Sequence, residues 1–283
     1  MDKILASKGK ATANATALWL VEQHVSKAPF QAMPASLQLS SADQAVAVQN
    51  EFVQLKAKQC GKPVGWKIAL ATPVMQKLVG LAAPVAGRLH KKQVVLAPAK
   101  VTGNRYGRLI VEFEIAMQIG TDLLPTSERH TGQSVAKSIR AVTCGFEVAD
   151  DRQADYTKLG QQGLQLLADN AWNEGAVLGA WRDLKESYGE VAATHHADDV
   201  LGSLKGEAFI NGVSVGYGYG RDLMGHPLNA LAWLANEAND RGSFLKAGDI
   251  TMLGSLVASK FPVKGDQLLF KLDGFEPISL TVR

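Results

Sequence analysis

The chain has only two cysteines, Cys60 and Cys144, with no Cys–x–x–Cys spacing. A disulfide framework and a thiolate zinc site are thereby excluded, and a reducing compartment is the simplest setting. No stretch approaches the roughly 20 apolar residues of a membrane-spanning helix. The segment from Met1 to Lys10 is polar and basic, with no signal-type hydrophobic run behind it. A cytoplasmic protein is the expectation. Charge of one sign is also lacking: the net charge is +3, with Lys and Arg scattered among acids, so no nucleic-acid or membrane patch is implied. Internal repeats and low-complexity runs are absent. What remains is an ordinary globular balance, 46% hydrophobic and 20% charged, in a chain long enough for one large core or two modest ones.

Periodicity divides the chain. Ala11 to Val25 is rich in helix formers, and Pro29 and Pro34 then break the pattern. Ser41 and Gln44 form a capping box, followed by Ala45, Val48, Phe52 and Leu55 on one helical stripe. The segment closes at Gly61–Lys62–Pro63. Residues 1–63 are therefore predicted as an N-terminal helical portion, joined without a flexible linker to a domain over 64–283.

In that second part Gly65 to Leu70 reads as a short strand, and Thr72–Pro73 opens a brief helix through Leu78. Leu109 to Ile119 alternates strictly, placing Ile110, Glu112, Glu114, Ala116 and Gln118 on one face. Ala141 to Ala149 alternates likewise, with Thr143, Gly145 and Glu147 together. Gly212, Gly216, Gly218 and Gly220 read as turns. Pro227 starts a helix with a Leu228, Leu231, Leu234, Ala235, Ala238 stripe that Gly242 ends. Strands are expected at Ile250 to Leu253, Gln267 to Leu272 and Pro277 to Val282. Helices first and strands later point to an α+β fold.

The carboxylates carry the chemistry. Glu112 and Glu114, two apart on a strand, share a face and can lean toward one point. If buried, such a pair requires protonation, a cationic partner or a metal. Glu147 repeats the arrangement on another strand. Three carboxylates with no His or Cys beside them suit Mg²⁺ or Mn²⁺. The same Glu–x–Glu pattern also fits a solvent-exposed polar face, although Ile110 and Ala116 flank it. Lys67, in the apolar run Trp66–Lys67–Ile68, needs an anion: a substrate carboxylate or a structural salt bridge. Asp169–Asn170 could orient a ligand, but taken alone reads as a turn. His195–His196 lies in a polar loop beside Asp198 and Asp199 and reads as exposed. The glycines at 212–220 lack the strand–loop–helix setting of a nucleotide fingerprint, and Ser255 lacks a nucleophile elbow.

Several separated motifs, taken in order, resemble the 2-keto-4-pentenoate hydratase / 2-oxohepta-3-ene-1,7-dioate hydratase branch of the fumarylacetoacetate hydrolase superfamily. They are Gly65–Trp66–Lys67–Ile68, Glu112–Phe113–Glu114–Ile115–Ala116, Glu147–Val148 with Arg152, and Leu167–Ala168–Asp169–Asn170–Ala171 with Val177–Leu178–Gly179. Gly225–His226–Pro227–Leu228–Asn229–Ala230 with Trp233–Leu234–Ala235, then Gly248–Asp249–Ile250 and Gly265–Asp266, complete the set. The resemblance spans roughly residues 10–283.

The resemblance implies a rolled, mixed, mostly antiparallel sheet with packed helices. It implies that Glu112, Glu114 and Glu147 hold Mg²⁺ or Mn²⁺, that Lys67 is catalytic, and that Asp169, Asn170 and Trp172 border the substrate pocket. The implied activity is hydration of a 2-hydroxy-2,4-dienoate or 2-oxoalkenoate in aromatic-compound catabolism. The alternatives are a 2-oxo acid decarboxylase, a C–C bond hydrolase on the same metal platform, and a catalytically weak partner-binding homologue. A homo-oligomer is expected, with a pathway decarboxylase as a candidate partner. The chain departs from the pattern twice. Pro84–Val85–Ala86–Gly87 carries no acid where the hydratases usually have one after proline. Trp172 stands where they carry a small residue.

Overall fold

The computed structural model describes residues 2–184, 186 and 196–283. Helix α1 (Asp2–Ser26) is longer than its sequence pattern suggested and ends where Lys27 turns left-handed, ahead of Pro29. Its Ala13, Ala17 and Leu20 pack with Ala45, Val48 and Phe52 of α2 (Ala42–Cys60). The α2 cap is half a capping box. Ser41 accepts from the Gln44 N–H, but the Gln44 carboxamide accepts from Ser40 N–H rather than from Ser41. The α1–α2 layer meets Val85, Leu167 and Ala168 of the following chain in one apolar cluster. Val85 thus fills an apolar contact where an acid was expected from the resemblance.

The expected rolled sheet resolves into two. The larger has eight strands. Along its path they run β2 (Val85–His90), β1 (Pro63–Ala69), β11 (Ile250–Ser255), β5 (Leu109–Ile119), β6 (Ile139–Asp150), β7 (Asn173–Leu178) and β3 (Val94–Leu96), with β8 (Arg182–Asp183) beside β6. The second runs β10 (Val213–Tyr219), β9 (Lys205–Ile210), β12 (Gln267–Leu272), β13 (Ile278–Val282) and β4 (Ala99–Val101). Pairing is mostly antiparallel; β1–β11, β3–β7 and β4–β13 are parallel. This is the α+β class that the order of elements pointed to, with the mixed, mostly antiparallel pairing that the resemblance implied.

The alternation in β5 decides where the core sits. Val111, Phe113, Ile115, Met117 and Ile119 face a core shared with the second sheet, where Phe113, Phe146 and Phe270 meet at centroid distances of 5.5–6.3 Å. Helix α7 (Pro227–Asp240), capped by His226, adds Leu228, Leu231 and Leu234 to that core. The shorter helices are α3 (Pro73–Val79), α4 (Gly132–Ala136), α5 (Gly163–Ala168) and α6 (His196–Ser203). Of the His195–His196 pair, His195 lies outside the described residues and His196 opens α6.

Gly216 and Gly218 are not turn residues: they lie inside β10. A Cβ on Gly218 would stand 2.1 Å from the Leu256 carbonyl oxygen, so glycine here permits close backbone approach rather than reversal. Strand β11 also runs past Leu253, because a register shift between Met252 and Ser255 carries it through Gly254 at φ 108°.

Candidate metal centre

Strands β5 and β6 pair so that Glu112 stands directly opposite Glu147 and Glu114 opposite Gly145. Glu112, Glu114 and Glu147 can each present a carboxylate oxygen within 4.8 Å of the other two. Glu114 and Glu147 are buried and Glu112 partly so. The face is therefore an enclosed one and not the solvent-exposed alternative.

Neighbouring groups orient each carboxylate. The positive φ of Gly254 aims its N–H at Glu114 Oε2, 2.8 Å away. Ser259 donates to Glu112 Oε1, and Asn173 Nδ2 donates to Glu147 Oε1 at 2.9 Å. Lys67, buried in β1, places Nζ 3.0 Å from Glu147 Oε1 and donates to the Ala171 carbonyl at 3.1 Å. Two oxygens, Glu114 Oε1 and Glu147 Oε2, are buried with no hydrogen-bond partner. Burial, then the nearby Glu147 charge, pushes the Glu112 carboxyl up. The same causes, with Glu112 added, push Glu114 well above the usual glutamate range. Orphaned buried oxygens and crowded like charges are what a hard cation resolves, and this all-oxygen donor set fits one.

A cavity of about 380 Å³ opens from this cluster, lined by Lys67, Glu112 and Glu147 at one end. Trp172, Ile110, Leu78 and Leu159 are among its walls. Trp172 lines this cavity with its ring edge-on to Phe30 and Tyr156 at 5.3 and 6.4 Å.

Asp169 and Asn170 do not line this cavity. Their polar atoms are used inside the fold. Asn170 accepts from the Arg88 N–H at 2.7 Å and donates to the Arg88 carbonyl at 3.0 Å, clamping β2. Asp169 pairs with Arg152 at 2.7 Å and with His24. Burial alone would raise the Asp169 carboxyl, but Arg152 and His24 outweigh it and hold it below the usual range. Glu174 is held down to about 2 by Lys56 and His24 against the same burial. Between these anchors Asn170, Ala171 and Trp172 are all left-handed, at φ 53°, 46° and 61°. Three consecutive non-glycine residues there store strain. The turn so held presents the Ala171 carbonyl to Lys67 and the Trp172 ring to the cavity. The buried ion cluster thus supports two site residues without touching the cavity itself.

Sequence reasoning missed Gly254, Ser259, Asn173 and His24. A glycine inside the strand pattern at Leu253–Gly254–Ser255 was the available signal for the bulge. The other three carry no local pattern, since each acts across at least 26 residues of chain.

Residues 46–283 match the fumarylacetoacetate hydrolase C-terminal family. The chain belongs to that family. It is 30% identical over 213 residues to 2-keto-4-pentenoate hydratase of Burkholderia vietnamiensis, covering 75% of each chain. It is 28% identical over 243 residues to 2-keto-4-pentenoate hydratase 1 of Dechloromonas aromatica, covering 86% of each. In fold it resembles 4-oxalocrotonate decarboxylase from Pseudomonas putida G7, solved with magnesium and adipate. That match has a TM-score of 0.82 at 24% identity over 96% of this chain and 97% of the other.

Proposed function

We propose that this protein is a divalent-metal-dependent hydratase, a hydro-lyase that adds water to a 2-hydroxy-2,4-dienoate or the corresponding 2-oxoalkenoate. The observation that carries this reading is the buried triad of Glu112, Glu114 and Glu147 with two unpartnered oxygens. The names of its hydratase relatives agree with it. Glu112, Glu114 and Glu147 would hold Mg²⁺ or Mn²⁺. When bound, the cation supplies positive charge for a substrate carboxylate and the adjacent C2 oxygen, where negative charge builds as enol becomes ketone.

The chain's own residues do the rest. Lys67 Nζ stands beside the carboxylates, 3.0 Å from Glu147, where it can hold the substrate carboxylate or carry a proton between carbon and water. Asn173 and Ser259 fix the carboxylate rotamers. The apolar walls limit the water that reaches the reacting carbons. Residues 1–63 serve the 64–283 domain as a helical portion, since His24 and Lys56 reach Asp169 and Glu174 beside the strained turn.

The experiment is turnover of 2-hydroxypenta-2,4-dienoate with Mg²⁺ and with EDTA, with products identified by mass. Addition of one water without CO₂ release supports hydration. The likeness in fold to a decarboxylase, together with Val85 in place of an acid, favours decarboxylation as the second reading. Release of CO₂ from a 2-oxo dicarboxylate without hydration would establish that one instead. EDTA-insensitive turnover would overturn both.

A further inference from the structure

The carboxylates and Lys67 occupy one end of the cavity, and the remainder of its wall has a different character. Among the described lining residues the only charged side chains are Lys67, Glu112 and Glu147. Beyond them the walls are uncharged and largely apolar, with Leu78, Val79, Ile110, Tyr156, Leu159 and Trp172; besides Tyr156, the hydroxyl residues among them are Thr72, Ser255 and Ser259. Lys67 stands at the head-group end, beside Glu147 and the Ala171 carbonyl. The Tyr156 hydroxyl donates to Asp151 at 3.1 Å, so the phenol turns its hydrogen away from any ligand. Behind Tyr156 stands Arg108, its guanidinium 5.6 Å from the ring centroid. That guanidinium is committed to the Asp151 carboxylate and the Ala154 carbonyl. A ligand with a second carboxylate at its far end would therefore bury that charge against apolar walls with no free cation to meet it.

Resting on the proposed function above, we infer that the site takes a 2-oxo acid whose far end is uncharged and apolar. Trp172 is the specificity-determining residue. Its ring is held edge-on between Phe30 and Tyr156 and sits on a left-handed turn anchored from behind by Asp169 and Asn170. A small residue at 172 would leave room for water, which could solvate a distal carboxylate. The tryptophan fills that room with its ring, and its Nε1–H, buried without a hydrogen-bond partner, is a neutral donor that brings no positive charge. An apolar tail gains from burial there, and a charged tail loses its hydration.

The test is calorimetric binding of 2-oxohexanoate and 2-oxoadipate, matched in length, to the full chain in Mg²⁺, with oxalate as a probe of the head-group site. The expected result is tighter binding of 2-oxohexanoate by about 100-fold, the discrimination an unpaired buried group produces. Trp172→Ser should narrow that gap to below about tenfold. Leu78→Arg, at a half-buried wall position, supplies the missing cation and should reverse the preference; it also covers the case in which Trp172→Ser fails to fold. Oxalate binding with equal affinity for the two acids, a preference for 2-oxoadipate, or no binding of either acid would overturn this inference and leave the metal and head-group reading standing. An unchanged preference in both variants would overturn the assignment to this wall. Failure of oxalate and both acids to bind would overturn the proposed function itself.

Discussion

Glu114→Gln exposes the electrostatics of the triad most directly. Glu114 is fully buried, accepts the Gly254 N–H on Oε2 and leaves Oε1 unpaired. A glutamine keeps the volume and the Gly254 bond, and it turns an amide N–H toward the remaining carboxylates. Without metal the fold holds Glu114 protonated above 4.5 at a cost of about 1.4 kcal/mol per pH unit, up to the folded value; glutamine lacks this cost, so the variant is expected to be the more stable by that amount. With roughly 2–4 °C per kcal/mol for domains approaching this size, the gain is several degrees of Tm. In Mg²⁺ the gap narrows, and it reverses where the ion's contribution exceeds the variant's metal-free gain. Wild type gains about 2.7 kcal/mol when the ion stands at 100 times its Kd, and Glu114→Gln, having lost a charged ligand and the affinity it gives, gains little.

The pH dependence has a definite sign. The folded Glu114 carboxyl sits well above its ordinary value of 4.5, so the native state holds a proton that the unfolded chain has released. Metal-free stability is then greatest below that value and falls as pH rises above it. The slope should flatten in the glutamine variant. The assay is thermal unfolding followed by circular dichroism in EDTA and in Mg²⁺ across that range. A variant less stable than wild type in EDTA and equally stabilised by Mg²⁺ would refute the reasoning.

Lys67→Met removes the ammonium beside Glu147; kcat should fall by about 10²–10⁴, read by steady-state turnover with substrate in excess. Gly87→Ala acts on the same lysine from β2. Its Cβ would stand 2.9 Å from Lys67 Cε and 3.1 Å from the Asn170 carbonyl oxygen and Oδ1, so the lysine must move and the turn that carries Ala171 must give by a few tenths of an ångström. Turnover should drop by about 100-fold, the cost of a displacement near 1 Å, while Mg²⁺ affinity by calorimetry stays put. Arg152→Met leaves Asp169 buried with His24 but without the guanidinium, and should cost about 3–5 kcal/mol at neutral pH. Asp169 is held below 3.8 in the fold, so its contribution is present above that value and lost as pH falls through the folded value. Urea denaturation at neutral and acid pH should therefore show a smaller difference between variant and wild type in acid.

What could be read in the sequence follows the range of the interactions. The alternation from Leu109 to Ile119 placed Glu112 and Glu114 on one face because strand period is local, and the structure has that strand over the same residues. The pairing of Glu112 with Glu147 is a matter of register, which no local pattern carries. Its signal was the repeated acid among small residues on β6. Trp172 was legible as a departure from a motif. The work done by Asp169 and Asn170 was not, because both face partners distant in sequence: His24 at 145 residues, and Arg88 at 82. The glycines at 216 and 218 were misread as turns because a glycine that admits another backbone and one that reverses the chain look the same in a string of letters.

The charge balance of the site joins these observations. Three carboxylates stand against one ammonium, so two negative charges remain uncompensated when all three glutamates are ionised. In the metal-free protein the upward push on Glu112 and Glu114 meets that excess with protons. A divalent cation would meet it with its own charge and release those protons, which makes its affinity rise with pH. Lys67 is thus part of the electrostatic set as well as the group proposed to meet the substrate. Its bonds to Glu147 and to the Ala171 carbonyl hold its Nζ in place beside the triad. A monovalent ion would leave one charge unmet and a trivalent one would overshoot. The residues that surround the triad therefore argue for a charge of two as firmly as its oxygens argue for a hard cation.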